Sequence, residues 1–397
     1  MRISSRSLQL QWLADVYRRQ AEVARIQKQV STGLRINTAA DDPAGASQAI
    51  ALRQGLDRIE NFGANAESVR RRLALGENAL DQFGNALARV RELAVQAGGG
   101  VQTNETRTAI AAEMRELLAS MVNVANSQDG EGRHLFAGNA VDAAPVAMAG
   151  GAALYNGDAG VRMQRIGDNR VIRENDPGSE VFFAIRDGNG TFAVDSAAGN
   201  LGTAFFSSAV ISDASAWVSD SYTITFTSPG TFAVTDSGGN SIASGSWSSG
   251  EAISFRGATV RFDGVPTAGD SFSVQPSANR NAFDMVSRLI TALEGDTLSP
   301  AGRAGFQNAL NAALLDLDQA ETHLGNVRGT IGARLNAIDE QRSNNEELTL
   351  QLQTTLSTVR DVDYPKAISD LETNLTALEA AQKVFAQTRA LSLFDLL

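Results

Sequence analysis

Catalysis and metal binding draw on histidine, cysteine and clustered carboxylates, and this chain of 397 residues offers few of them. It has no cysteine, which removes thiolate nucleophiles, disulfides and Cys-type zinc sites together. Its two histidines, His134 and His323, fall in an expected hairpin and on a long helical stretch, and read more simply as surface or satisfied histidines than as ligands. Carboxylates pair at Asp41-Asp42 and at Asp361 with Asp363. Both pairs stand at breaks between helical patterns, where Asp acts as a cap or turn former. Asp187-Gly188-Asn189-Gly190 resembles part of a calcium loop but lacks the distal Glu, so it reads as a turn. No nucleophile elbow, P-loop or dinucleotide fingerprint occurs. Matches to the glycosylation tripeptide at Asn104, Asn189 and Asn374 are of a kind frequent by chance. The expectation is a protein that is not an enzyme, with no catalytic, cofactor-binding or metal residues and no cofactor.

The elements that would position any site point elsewhere. The formal net charge is −11 and the pI near 4.8, which disfavours nucleic acid as a partner. Hydrophobic residues make up 43% but aromatics only 6%, a balance suited to long helices packed side by side. No apolar run approaches the roughly 18 residues of a membrane span. The N-terminus lacks the apolar segment and cleavage site of a signal peptide, so export would need another route.

Apolar residues recur at steps of three and four along the first third. Leu13, Val16, Gln20, Val23, Gln27, Val30 and Leu34 form a narrow seam, broken at Asn37 and at Asp41-Asp42-Pro43. The glutamines either set register in a multi-helix assembly or are neutral edge residues. A second helix carries Leu73, Leu80 and Leu87 and ends at Gly98-Gly99-Gly100. From about residue 135 to 275 the chain is rich in Gly, Ser, Thr and Asp, with alternating runs such as Tyr222–Phe226 between turn signals such as Asp263-Gly264. That pattern predicts an all-β insert, a small barrel or sandwich. Helical spacing then returns. Leu310, Leu317, Leu324, Ile331 and Ile338 fall in one heptad register on a stretch of roughly 75 Å. After Asp361, Asp363 and Pro365 a last helix carries Ile368, Leu371, Leu375, Leu378, Gln382 and Phe385, and the tail adds Leu391, Leu393 and Phe394.

The fold class is therefore α+β: long terminal helices form a coiled-coil or helical-bundle rod with an all-β domain inserted in the middle. Residues 1–41 and 361–397 would make a terminal coiled coil. Residues 42–140 and 281–360 would form a helical rod with a small hairpin, and 141–280 the outer β domain. The rod core is expected at Leu73, Leu80, Leu87, Leu310, Leu317, Leu324, Ile331 and Ile338. Up to residue 40 there are seven basic residues against two acidic; from 361 onward there are six acidic against three basic. A basic and an acidic helix with matching seams are natural partners. Two such helices leave apolar surface uncovered, which marks Leu13, Val16, Val23, Val30, Leu34, Ile368, Leu371, Leu375, Leu378, Phe385, Leu391, Leu393 and Phe394 as an assembly interface. The plainer alternative is an intramolecular stalk.

The start Met1-Arg2-Ile3-Ser4, the run Ser31–Asn37, Asp41-Asp42-Pro43-Ala44-Gly45 and Arg91–Ala97 resemble the flagellin family. So do Arg133–Gly138, Gly332–Asp339 and the segment from Asp361 to Phe394, which are closer to the family's hook–filament junction proteins than to filament flagellin. The resemblance covers roughly 1–140 and 280–397, and the β insert carries no family motif. It implies a secreted structural adaptor of the bacterial flagellum, sent through the type III export channel. Its terminal helices would be disordered in the monomer and fold on assembly. Implied partners are hook-associated protein 1, flagellin, copies of itself in a ring and a flagellar export chaperone, with no nucleic acid and no membrane span. Alternatives are flagellin itself or a secreted stalked adhesin or effector with a β-domain head.

Overall fold

The computed structural model describes residues 5–99, 103–295 and 297–394; of these, the side chains of 5, 6, 8, 9 and 388–394 lie outside the description. Three helices open the chain: α1 (Ser5–Thr32), α2 (Pro43–Ala97) and α3 (Asn104–Ala125). Short strands follow as hairpins, β1 (Val146–Ala149) with β2 (Ala152–Tyr155), and β3 (Met163–Gly167) with β4 (Arg170–Arg173). A helical turn, α4 (Gly178–Val181), leads into β5 (Ile185–Arg186). The next eight strands are β6 (Phe192–Ser196), β7 (Phe205–Ile211), β8 (Tyr222–Ser228), β9 (Thr231–Thr235), β10 (Ser241–Ser246), β11 (Ala252–Phe255), β12 (Ala258–Asp263) and β13 (Ser271–Pro276). Then come β14 (Asn279–Arg280), α5 (Ala282–Leu293), α6 (Pro300–Arg360) and α7 (Tyr364–Phe394).

Two compact units result, Met1–Ala64 with Glu340–Leu397, and Asn65–Asp339. The division falls inside the unbroken helices α2 and α6, whereas the sequence reading placed it at the Asp-Pro breaks. Those breaks end helices and turn the chain without separating packed groups.

In the larger unit one core joins α2, α3, α5 and α6. Leu73, Leu80, Leu87, Leu310, Leu317, Leu324, Ile331 and Ile338 are all buried in it. Asn281 caps α5 by accepting from the Asp284 amide at 2.7 Å, and this helix buries Phe283, Val286, Leu289 and Ile290 along one face. The hairpins β1–β4 also contribute to this core, through Val146, Ile166 and Ile172. The separate β core therefore begins at Phe192, not near residue 141. There the antiparallel sheets β10-β9-β8-β13-β6 and β11-β12-β7 share one cluster that includes Phe206, Tyr222, Phe226, Phe262 and Phe272. The inward and outward alternation along β8 and β12 reflects the period of two read in the sequence.

Candidate assembly interface

The sequence breaks at 33–43 and 361–365 meet in the smaller unit, where they form a clasp. Thr32 ends α1, and Gly33 follows with φ +72°, the left-handed conformation that glycine adopts without strain. The chain then runs antiparallel to the end of α6. Arg35 N donates to Arg360 O at 2.7 Å and Val362 N to Gly33 O at 3.0 Å. The Arg35 guanidinium donates to Val359 O at 2.5 Å, in the last turn of α6, and to Asp42 at 3.1 Å. A cation there faces the carbonyl end of a helix, where the helix dipole favours it. Gln29 is buried and donates to Arg35 O at 2.6 Å.

Within this clasp Asp42 and Asp363 cap helices, and Asp41 closes a turn. Asp42 Oδ1 accepts from Gly45 N at 2.9 Å, with Pro43 in the first turn of α2. Asp41 Oδ2 accepts from Thr38 N, Thr38 Oγ1 and Asn37 N at 2.7, 3.0 and 3.1 Å. Asp363 Oδ1 accepts from Lys366 N at 3.2 Å and opens α7. Hydrogen bonds from Thr38 hold the Asp41 carboxyl below the usual carboxylate range, and the Gly45 amide and Arg35 do the same for Asp42. A depressed carboxyl stabilises the fold above its ordinary pKa and loses that effect as pH falls through its folded pKa, so acid loosens the clasp. A Cβ on Gly33 would stand 3.0 Å from the Tyr364 hydroxyl. Gly33→Val is therefore expected to cost about 1–3 kcal/mol. Hydrogen exchange would read this as lost protection at residues 33–36 and 360–362, with β13 unchanged; full protection in the variant would show that the turn tolerates a side chain.

Helix α1 packs along α7 beyond the clasp. Val16 and Val23 are buried on α1, while Leu13, Val30 and Leu34 are half-buried. Ile26, 3% exposed, is the most buried of the described α1 side chains and was missed by the seam read from sequence; Gln20 and Gln27 of that seam are exposed. On α7 the covered line runs through Ala367, Leu371, Asn374, Leu378, Ala381 and Phe385. Ile368 and Leu375 are 46% and 38% exposed, so the helix pair does not enclose them. They sit one residue round from Ala367 and Asn374 and, with Tyr364, form a second, exposed apolar stripe beside the pairing line. The side chains of Leu391, Leu393 and Phe394 lie outside the described residues. Charge accompanies this pairing: Arg25, bonded first to Glu22, is also attracted by Asp370 of α7.

The histidines belong to structural networks. His134 is buried, with Nδ1 2.8 Å from Asn126 O and Nε2 3.1 Å from the Gln128 amide, and His323 Nε2 lies 2.9 Å from Glu180 O. The Asp187–Gly190 segment is a turn in which Gly190 N donates to Asp187 O at 3.1 Å. No helix among the described residues is long and apolar enough to cross a membrane.

Residues 3–141 match the family profile of the bacterial flagellin N-terminal helical region, and residues 314–397 that of the bacterial flagellin C-terminal helical region. Flagellar hook-associated protein 3 of Escherichia coli is 25% identical over the whole chain and is itself 99% covered. The protein of the same name from Salmonella typhimurium is 31% identical over 47% of this chain, and the match spans 58% of that protein. Among solved structures, FlgL of Xanthomonas campestris is 37% identical with a TM-score of 0.73, over 77% of this chain and 99% of that one. Hook-associated protein-3 of Legionella pneumophila is 31% identical with a TM-score of 0.75, over 78% and 98%. Paired terminal helices around a β-rich middle thus place the molecule in the class of flagellar structural proteins. The chain belongs to the flagellin family, and within it to the hook-associated protein 3 group.

Proposed function

We propose that this chain is the extracellular adaptor joining the flagellar hook to its filament, with no catalytic step of its own. It would be exported through the flagellar type III channel with the help of an export chaperone. It would contact hook-associated protein 1 on one side and flagellin on the other, and form a ring with copies of itself. The observation that carries this reading is the apolar stripe of Tyr364, Ile368 and Leu375, left open after α1 and α7 have paired. A two-helix unit with a second seam needs neighbours to cover it. Terminal segments that order on joining those neighbours would offset the entropy of ordering by burying that seam.

The test is complementation of a deletion strain, scoring swimming and flagellin released to the medium. Bare hooks and released flagellin, cured by the full chain but not by one ending at Ala390, are the expected outcome. Normal filaments in a deletion strain lacking a second copy would remove the junction role.

A further inference from the structure

We propose that the inserted β domain is held on α6 by a proton-sensitive latch, built from Asp316, Arg280 and Asp187, that tightens as the surroundings become acidic. The inference is independent of the junction role, since it concerns one unit of the folded chain. The insert leaves and re-enters the helical core through β5 and β14, which pair at Ile185–Arg280 and Arg186–Asn279. At this neck Asp316 of α6 accepts from Gly188 N at 2.7 Å, and its second oxygen lies 3.3 Å from Arg280. Arg280 also lies 3.1 Å from Asp187, whose other oxygen accepts from Ala278 N at 2.8 Å.

About one and a half to two turns nearer the N-terminus of α6, side-chain amides stand in for a missing strand. β7 is the edge of its sheet, and Phe206 N donates to Asn308 Oδ1 at 2.9 Å while Asn311 donates to Phe206 O at 2.6 Å. Asn308 also donates to Ala204 O at 3.2 Å. Side chains of α6 thus satisfy backbone groups of the insert at both places.

Asp316 and Asp187 are both buried, and among the described residues the cation paired with both is Arg280; Arg186, the other cation of the neck, is exposed and donates to Ser277 O at 2.6 Å. Two carboxylates on one cation, shielded from water, leave an excess negative charge that a proton removes. Beside Asp316 lies a cavity of about 190 Å³, lined also by Asp195 of β6 and Arg288 of α5. Those two pair with each other at 3.1 Å and are half-exposed, so Arg288 is engaged by its own carboxylate. On α6 itself Asp318 and Glu321 are engaged by Arg91 of α2. Burial, the largest influence, pushes the Asp316 carboxyl up to about 6, against the opposing pull of the Gly188 amide and Arg280. The docked insert therefore binds a proton that an undocked one releases, and docking weakens as pH rises through that value.

Hydrogen exchange of the whole chain at pH 5.0 and 7.5, corrected for intrinsic rates, reads the latch at Gly188 and Phe206. Their protection is expected to be about tenfold higher at pH 5.0 in the wild type. Asp316→Asn should remove that gradient and protect both amides at pH 7.5. Asp187→Asn removes a smaller, like-charge influence and should reduce the gradient without abolishing it. A flat or reversed gradient in the wild type overturns the proposal, as does a wild-type gradient that survives in Asp316→Asn.

Discussion

Aspartate in place of both Ile368 and Leu375 is expected to leave the isolated protein's unfolding curve within about 0.5 kcal/mol of wild type and to abolish filament retention in the deletion strain. The first half follows from exposure. Both side chains are more than a third open to water, and substitutions at such places seldom shift stability further. Helix propensity falls only slightly from Ile or Leu to Asp. The second half follows from the adaptor reading. If neighbouring subunits cover the stripe, each aspartate would be a charge buried without a partner, a change costing several kcal/mol per contact. Repeated around a ring of copies, that penalty leaves no stable junction. Ile26→Asp is the informative contrast, because Ile26 is enclosed by the chain itself and its loss should disturb the α1–α7 pair before any assembly. Hydrogen exchange on α1 and α7 in the purified protein separates the two variants. Wild-type swimming with aspartate at both 368 and 375 would leave the adaptor reading without the surface on which it stands.

The long helices and the β middle were legible because each has a period that few alternatives share. Leu310 to Ile338 keeps one heptad register through α6, and Tyr222–Phe226 alternates through β8. The caps were legible too, since Asp before Pro between two apolar repeats has few uses other than ending one helix and starting the next. What failed on α1 was the choice between two interleaved series. Leu13, Val16, Gln20, Val23, Gln27, Val30 and Leu34 keeps the three-and-four step, but so does Trp12, Val16, Arg19, Val23, Ile26, Val30 and Gly33. The structure follows the second over most of its length, and Ile26 in place of Gln27 was the signal that distinguished them. On α7 the expected seam is divided: Leu371, Leu378 and Phe385 lie on the pairing line with Ala367, Asn374 and Ala381, which carry little apolar signal, while Ile368 and Leu375 lie on the open face. The division of the β region was hidden for another reason. Hairpins β1–β4 look like the strands that follow, and their membership in the helical core rests on contacts distant in sequence.

Phe182→Ala is the substitution expected to cost the folded chain most, about 3–5 kcal/mol. Phe182 has no solvent exposure and stands among other rings, with centroids 4.7 Å from Phe83, 5.0 Å from Phe136 and 5.9 Å from Phe283. Those partners come from α2, from the loop after α3 and from α5, so one side chain links three parts of the core. Its backbone serves the same place: Phe182 N donates to Gly178 O at 2.8 Å, and its carbonyl accepts from Ala282 N at 2.9 Å at the start of α5. The tight geometry that holds those two bonds restricts collapse around a lost ring, and an uncollapsed cavity adds to the lost transfer energy. Phe183, the next residue, is only partly buried and touches Tyr155 and Phe283 at 5.4 and 5.8 Å. Phe183→Ala should cost clearly less, which makes it the control for the change in residue type. Urea unfolding followed by circular dichroism gives both values under one protocol. A Phe182→Ala loss below about 1 kcal/mol would mean that the surrounding rings close over the gap. The expected loss also has a reading in the cell: a core weakened by several kcal/mol unfolds within the growth range, so swimming should fail on warming and return on cooling.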